Sequence, residues 1–254
     1  MPSDVHQRQI RVGRPPFAFR VSGPDDWLLL ETEANTWQPS VERILAQSRA
    51  GLGRLTARER RELRELLETV VGSAQEAGVI LSLVKLARDP HGLAGGGLFC
   101  GSLSLSWYDS SPVQADMAFC RMVAGDAEEL EEFEGAAGPA LLRCESMRHQ
   151  QPWDELFPGD RAYSAQGFVP IDGTAWTALV SGVVSSTAHD ELLRKLVRRM
   201  AASIRLTAGT PEGDEPPEAP TAGGPVSRFG TRRVIEKTDR PSGMDGRWRR
   251  PLGA

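Results

Sequence analysis

The chain is poor in the residues from which most reaction centres and secreted scaffolds are built. It holds three cysteines, four histidines and two tyrosines in 254 residues. Cys100, Cys120 and Cys144 are odd in number and widely spaced, which fits reduced, mostly buried thiols and excludes a disulfide frame or a zinc cluster as the organising feature. His6, His91, His149 and His189 are scattered and lack the paired spacing of a metal site. No stretch approaches ~18 consecutive apolar residues, so no helix should span a bilayer. The greasiest segments, residues 79–86 and 175–184, are strand-sized. The N-terminal sequence MPSDVHQRQIRVGRPP carries charges but no apolar core of the kind a secretory signal needs, and the chain is expected to be cytoplasmic. Charge of one sign is not in excess either. Thirty Lys and Arg stand against 34 Asp and Glu, a formal net charge of −4, and this balance predicts neither nucleic-acid nor membrane binding for the chain as a whole.

What is present divides sharply near residue 207. Upstream, apolar periodicity is continuous; downstream, TPEGDEPPEAPTAGGP leads into a basic stretch that ends WRRPLGA. The expected organisation is a flexible N-terminus over 1–15, one folded domain over 16–207, and a disordered tail over 208–254. The acidic, proline-rich part of the tail cannot bury enough apolar surface to offset its ordering entropy, so it should act as a semi-extended linker. Beyond it, residues 228–250 hold eight Arg or Lys against Glu236, Asp239 and Asp245, with Phe229, Val234, Ile235 and Trp248 interspersed. A segment of that kind can fold on contact with a partner protein, an acidic surface or nucleic acid.

Within the domain, residues 17–21 and 27–31 alternate around Gly23-Pro24-Asp25-Asp26 and are expected to form a β-hairpin. Pro39 opens a short helix with Val41, Ile44, Leu45 and Ser48 on one face. Thr56 and Glu59 have capping-box spacing and precede an apolar stripe of Leu63, Leu66, Leu67, Val70, Val71 and Ala74, which Gly78 should stop. The mixed charges between Arg58 and Glu68 form its wet face. Strands are expected over 79–86 and 98–107, paired antiparallel, with a helix-like stretch after Ser111-Pro112 that uses Val113, Met117, Cys120, Met122 and Val123. Glu128 to Glu134 reads as an exposed edge strand or loop, residues 139–144 as a short strand, and 147–160 as a loop. Residues 163–171 and 176–185 form a hairpin through Asp172-Gly173-Thr174. A last helix begins at Thr187, repeats Leu192, Leu193, Leu196, Val197, Met200, Ala201, Ile204 and Leu206 at helical spacing, and carries its arginines toward the negative end of its dipole.

Hairpins with helices between them predict an α+β fold, an antiparallel sheet flanked by helices. Three stretches, FRVSGPDDWLLLE, YSAQGFVPIDGTAWTALVSGVVSS and ELLRKLVRRMAASIRL, resemble the Mog1/PsbP-like α/β/α sandwich group, with Pro24-Asp25-Asp26-Trp27 in the place of that group's Pro-x-x-Trp turn. The resemblance implies a non-catalytic bacterial accessory protein. A place in a specialised secretion or assembly pathway is a narrower version of the same expectation.

Candidate chemistry is thin. Gly95 to Gly97 lacks the following Lys-Ser or Lys-Thr of a phosphate loop. His189, Asp190 and Glu191 are adjacent at a helix start and do not face one another, so the carboxylates serve the helix dipole. Ser102, Ser104 and Ser106 share a strand face but lack a nucleophile elbow. Trp27, Trp37, Trp107 and Trp176 belong to the core or its rim. No catalytic, cofactor or metal residue is assigned. Partner contact is placed on Trp153, Leu156 and Phe157 in the loop before residue 161, and on Phe229, Arg232, Arg233 and Trp248 of the tail. The expected function is binding of a protein partner, with no membrane span, and with nucleic acid reached only through the tail. The alternative is a small-molecule or enzymatic site assembled from distant loops, with His149, Asp109 and Glu145 as the residues that would converge.

Overall fold

The computed structural model describes residues 11–88, 98–127, 129–148, 161–207 and 235–236. Its centre is an eight-stranded sheet in which β3 (Leu28–Leu29), β4 (Leu81–Arg88), β5 (Leu98–Asp109), β9 (Trp176–Val184), β8 (Arg161–Pro170), β7 (Gly138–Arg148) and β6 (Glu129–Gly135) are neighbours in that order. β1 (Arg11–Val12) adds to the far end of β5, and every pairing in this sheet is antiparallel. A separate small sheet has β2 (Phe19–Ser22) at its middle, between β10 (Arg205–Leu206) and β11 (Ile235–Glu236).

Alternation along the central strands gives the main sheet two faces. On β5, Phe99, Leu103, Leu105 and Trp107 point to the face covered by α5 (Asp190–Ala202), where they join Leu193, Leu196, Val197, Met200 and Ala201 in the largest apolar cluster. Leu98, Cys100 and Tyr108 point to the opposite face. That face has two separate covers. α1 (Trp37–Gln47) and α3 (Ala57–Glu76), joined through the short α2 (Arg49–Leu52), bury Val41, Ile44, Leu45, Leu63, Leu67 and Val71 against Val84, Leu86, Leu98 and Cys100. α4 (Met117–Ala124) sets Cys120 and Ala124 on Leu141, Phe168 and Leu179. The result is an α+β sandwich of helix, sheet and helix layers.

Close seating of α5 depends on two glycines of adjacent strands. A Cβ on Gly182 would stand 2.7 Å from Leu193 Cδ1 and 2.8 Å from Val197 Cγ2, and one on Gly167 would stand 2.8 Å from the Ala201 Cβ. Without those side chains the helix axis approaches the sheet closely enough for Val197 and Met200 to be fully buried.

Local signals account for both ends of α3 and the start of α4. Thr56 and Glu59 make the reciprocal capping box: the Thr56 hydroxyl accepts from the Glu59 N–H at 3.1 Å, and Glu59 Oε2 accepts from the Thr56 N–H at 2.7 Å. Gly78, at φ +57°, ends α3 in the left-handed region. Asp116 caps α4 by accepting from the Phe119 N–H at 2.7 Å.

Several sequence expectations are corrected. Residues 17–21 and 27–31 do not form a hairpin. The turn is present, with the Trp27 N–H donating to the Pro24 carbonyl at 3.4 Å, but β2 pairs with β10 while β3 pairs with β4. Trp27, buried in the α5-side core, draws the chain across to the main sheet instead. Helix α4 begins at its Asp116 cap rather than at Ser111-Pro112, and Met122, expected on its apolar face, is 57% exposed. β7 runs to Arg148, four residues past Cys144 and into the stretch expected to be loop. Helix α5 begins at Asp190 after a single 3-10 turn over Thr187–His189, and Leu206 lies beyond it in β10, exposed.

Candidate binding surface

The two helical covers leave a polar band between them. Cross-strand register sets Ser82 beside Ser104, Ser104 beside Ser181, Ser181 beside Gln166 and Gln166 beside Arg143, one continuous row over five strands. The next row runs Val84, Ser102, Val183, Ser164 and Glu145. Toward one end of the strands lie Leu86, Leu98 and Cys100 under α1 and α3; toward the other lie Leu141, Phe168 and Leu179 under α4. From β5 to β7 the band spans three strand spacings, about 14 Å.

The band is polar and partly open to solvent. Val183, on a central strand, is 36% exposed, so neither cover reaches over the middle of the band. Ser102, Ser104, Ser181, Ser164 and Gln166 are half-buried around it. Arg143 is held as a fork: Nη1 donates to Gln166 Oε1 at 3.1 Å and Nη2 to Glu145 Oε2 at 2.6 Å. A guanidinium fixed by two partners loses little further entropy when it meets a ligand. The Ser104 hydroxyl donates to the Ser181 carbonyl and the Ser164 hydroxyl to the Glu145 carbonyl, each at 3.4 Å. One cation and one anion face outward together, so the band presents hydroxyl, amide and carboxamide groups with little net charge.

The rim on the α3 side is pinned by Arg88 at the end of β4. Its Nη1 donates to Glu59 Oε1 and its Nε to the Leu52 carbonyl, both at 3.0 Å. The Glu59 carboxyl is held below its ordinary value first by the Thr56 main-chain N–H and then by Arg88. At the other edge of the sheet, acidic β6 is tied to both helical layers. Arg194 of α5 reaches Glu129 and Glu131 at 2.7 and 2.8 Å, Arg198 reaches Glu131 at 2.6 Å, and Arg121 of α4 pairs with Glu132. The sequence presents Arg194 and Arg198 as complements of the helix dipole; their partners on β6 are visible only once the fold brings the sheet edge under α5.

The thiols are not poised for chemistry. All three are buried; burial pushes Cys100 and Cys120 up to about 12 and also raises Cys144. His189 is buried with its ring edge-on to Phe99, centroids 4.8 Å apart. Among the described residues no group of three or more His, Cys, Asp or Glu gathers as a metal site would require, and no helix is long and apolar enough to cross a membrane.

No family model, curated protein or solved structure matches this chain.

Trp153, Leu156, Phe157, Phe229, Arg232, Arg233, Trp248 and His149 all lie outside the described residues. Of the residues named for a converging site, Asp109 and Glu145 do not meet. Glu145 shares a row with Ser102, whereas Asp109 is seven residues farther along β5, about 23 Å at strand rise, where it accepts from the Ser111 N–H at 2.9 Å. The sequence does place Ser102, Ser104 and Ser106 on one face. It does not join them to Gln166, Arg143 and Glu145, because that row depends on the order β5-β9-β8-β7, which no local signal encodes.

Proposed function

We propose that this chain is a non-catalytic accessory or adaptor protein and that a protein partner docks on the polar band. The supporting observation is the band itself, a row of serines, a glutamine and a fixed Arg–Glu pair left open on the central strands, with Val183 over a third exposed. An antiparallel sheet tolerates a solvated polar stretch on one face, and this one lies between two helical covers where a partner can reach it. The resemblance to Mog1/PsbP-like sandwiches favours the same reading, as an accessory in a secretion or assembly pathway. Phe229, Arg232, Arg233 and Trp248 of the basic tail add a second contact.

The test is affinity capture from a lysate of the native cells, with wild type beside Ser181→Arg. Ser181 is half-buried and its hydroxyl makes no contact that the fold requires, so a long cation there obstructs the band and leaves the core alone. The expected result is a specific protein held by wild type and lost with the variant. Equal capture by both, or turnover of a substrate that is abolished by Arg143→Ala, would overturn the proposal.

A further inference from the structure

The two edges of the main sheet differ. One ends in β3, a strand of two residues; the other ends in β6, which has seven and, among the described residues, pairs with β7 alone. The β6–β7 register fixes which main-chain groups face outward. Glu134 stands opposite Pro139, which has no N–H, so that pair cannot exchange main-chain hydrogen bonds. The bonded pairs are therefore Gly135–Gly138, Phe133–Ala140, Glu131–Leu142 and Glu129–Cys144. Leu130, Glu132 and Glu134 turn their N–H and C=O groups away from β7. All three residues are exposed, Leu130 to 46%, so nothing among the described residues covers that edge.

The edge selects by charge as well as by backbone. Its residues ELEEFEG include four glutamates. Arg194 and Arg198 of α5 hold Glu129 and Glu131, and Arg121 of α4 holds Glu132, yet the side chains of Glu129 and Glu132 remain 54% and 56% exposed. Glu134 is exposed and makes no ion pair among the described residues. A second copy of β6 laid on this edge would crowd both sets of carboxylates along one seam, and like charges across a strand pair are destabilising. An acidic open edge is thus guarded against its own copies and is complementary to lysine and arginine side chains. Leu130, opposite Arg143, offers an apolar contact beside them.

We propose that the outer edge of β6 accepts an extended, basic segment of another protein as a further strand of the main sheet. Strand addition draws its affinity from main-chain hydrogen bonds, here to Leu130, Glu132 and Glu134, so the site is specific for an extended backbone. Glu129 and Glu131 toward α5, and Glu132 and Glu134 on the opposite face, favour cationic side chains on both faces of the added strand. The assignment concerns this edge and stands or falls apart from docking on the polar band.

Amide hydrogen exchange on the full chain, resolved to Leu130, Glu132 and Glu134, tests it with two probes. One is a short synthetic peptide of alternating Lys and Val; the other is the same peptide N-methylated at every peptide bond, which keeps the charge and loses the main-chain donors. The expected result is fast exchange of the three amides in the free chain, slowed about tenfold or more by saturating Lys-Val peptide while α5 amides are unchanged. The N-methylated peptide should slow none of the three. Glu134→Lys should weaken binding of the Lys-Val peptide about threefold. Leu130→Pro, which removes an outward N–H and no bond to β7, should weaken it about tenfold. No slowing at the three amides, equal slowing by the N-methylated peptide, or undiminished binding by both variants would overturn the proposal. Slow exchange in the free chain would show the edge filled by the chain's own residues, and slowing that rises with protein concentration would show it filled by a second copy; either result overturns docking of another protein.

Discussion

The two faces of the central sheet are made by the same strands and behave as different materials. Toward α5, the alternate residues over 99–107, 176–184, 163–169 and 138–144 are aromatic, aliphatic, cysteine, alanine or glycine, and the helix is seated so closely that Gly182 and Gly167 have no room for a Cβ. Toward α1, α3 and α4, the alternate residues of the same strands change from apolar to polar to apolar, and the polar stretch stays open. Gly182 and Ser181 are neighbours in sequence, yet one sits under a helix and the other on a half-buried floor between the described helices. Stability is concentrated on the closed face, and the open face is free to be specified by something other than the fold.

That contrast can be broken most severely at the helix. Leu193→Ala empties a fully buried position between α5 and β9 and should cost about 3 kcal/mol in urea unfolding. Gly182→Val, which forces a branched side chain against Leu193 and Val197, should cost about 2 kcal/mol and loosen α5 in particular. If Gly182→Val unfolds like wild type, the close seating of α5 is wrong.

A smaller effect belongs to the α3 cover. Thr56→Ala removes the capping hydroxyl and should cost about 1 kcal/mol by thermal or urea unfolding. Its partner Glu59 adds a pH signature. Because the folded carboxyl titrates below its ordinary value of 4.5, its contribution is present above that value and is lost as pH falls through the lower folded value. The stability gap between wild type and Glu59→Gln should therefore be open at neutral pH and close as the solution is acidified below 4.5. A gap that stays constant through that range would show that the carboxylate charge is not what holds the cap.

The smallest effect sharpens the comparison at a single step of sequence. Ser181→Val, one residue from Gly182, should change stability by no more than about 0.5 kcal/mol, because its side chain faces the open band. A loss comparable to that of Gly182→Val would mean that the band is part of the packed interior.

The elements that were legible in the sequence are those whose cause is local. The capping box at Thr56, the stop at Gly78, the tight turn at Asp172-Gly173-Thr174 and the apolar stripe of α5 each depend on residues within a turn or two of one another, and the α+β class follows from their succession. Where the cause is distant, the sequence misleads. Phe19 and Val21 alternate like a hairpin strand, but their cross-strand partners are Leu206 and Ile235, nearly two hundred residues away or more. Met122 fits an apolar helical spacing, yet a helix as short as α4 buries only the side that meets Leu141, Phe168 and Leu179. The same holds for the polar band. Three serines on β5 are visible in the sequence, but Gln166, Arg143 and Glu145 join them only through the order of the strands.

The most direct test of the open band uses a thiol in place of a hydroxyl. The native cysteines are buried and resist deprotonation, so Ser181→Cys carries the one thiol expected to react with a maleimide at neutral pH. Rapid labelling of the purified variant, slowed in a saturable way by a lysate of the native cells whose own thiols have been blocked and the blocking reagent removed, is the predicted result. Labelling that is as slow as that of the native thiols would show that the chain covers the band itself, and labelling equally fast with and without lysate would contradict its role as a docking surface.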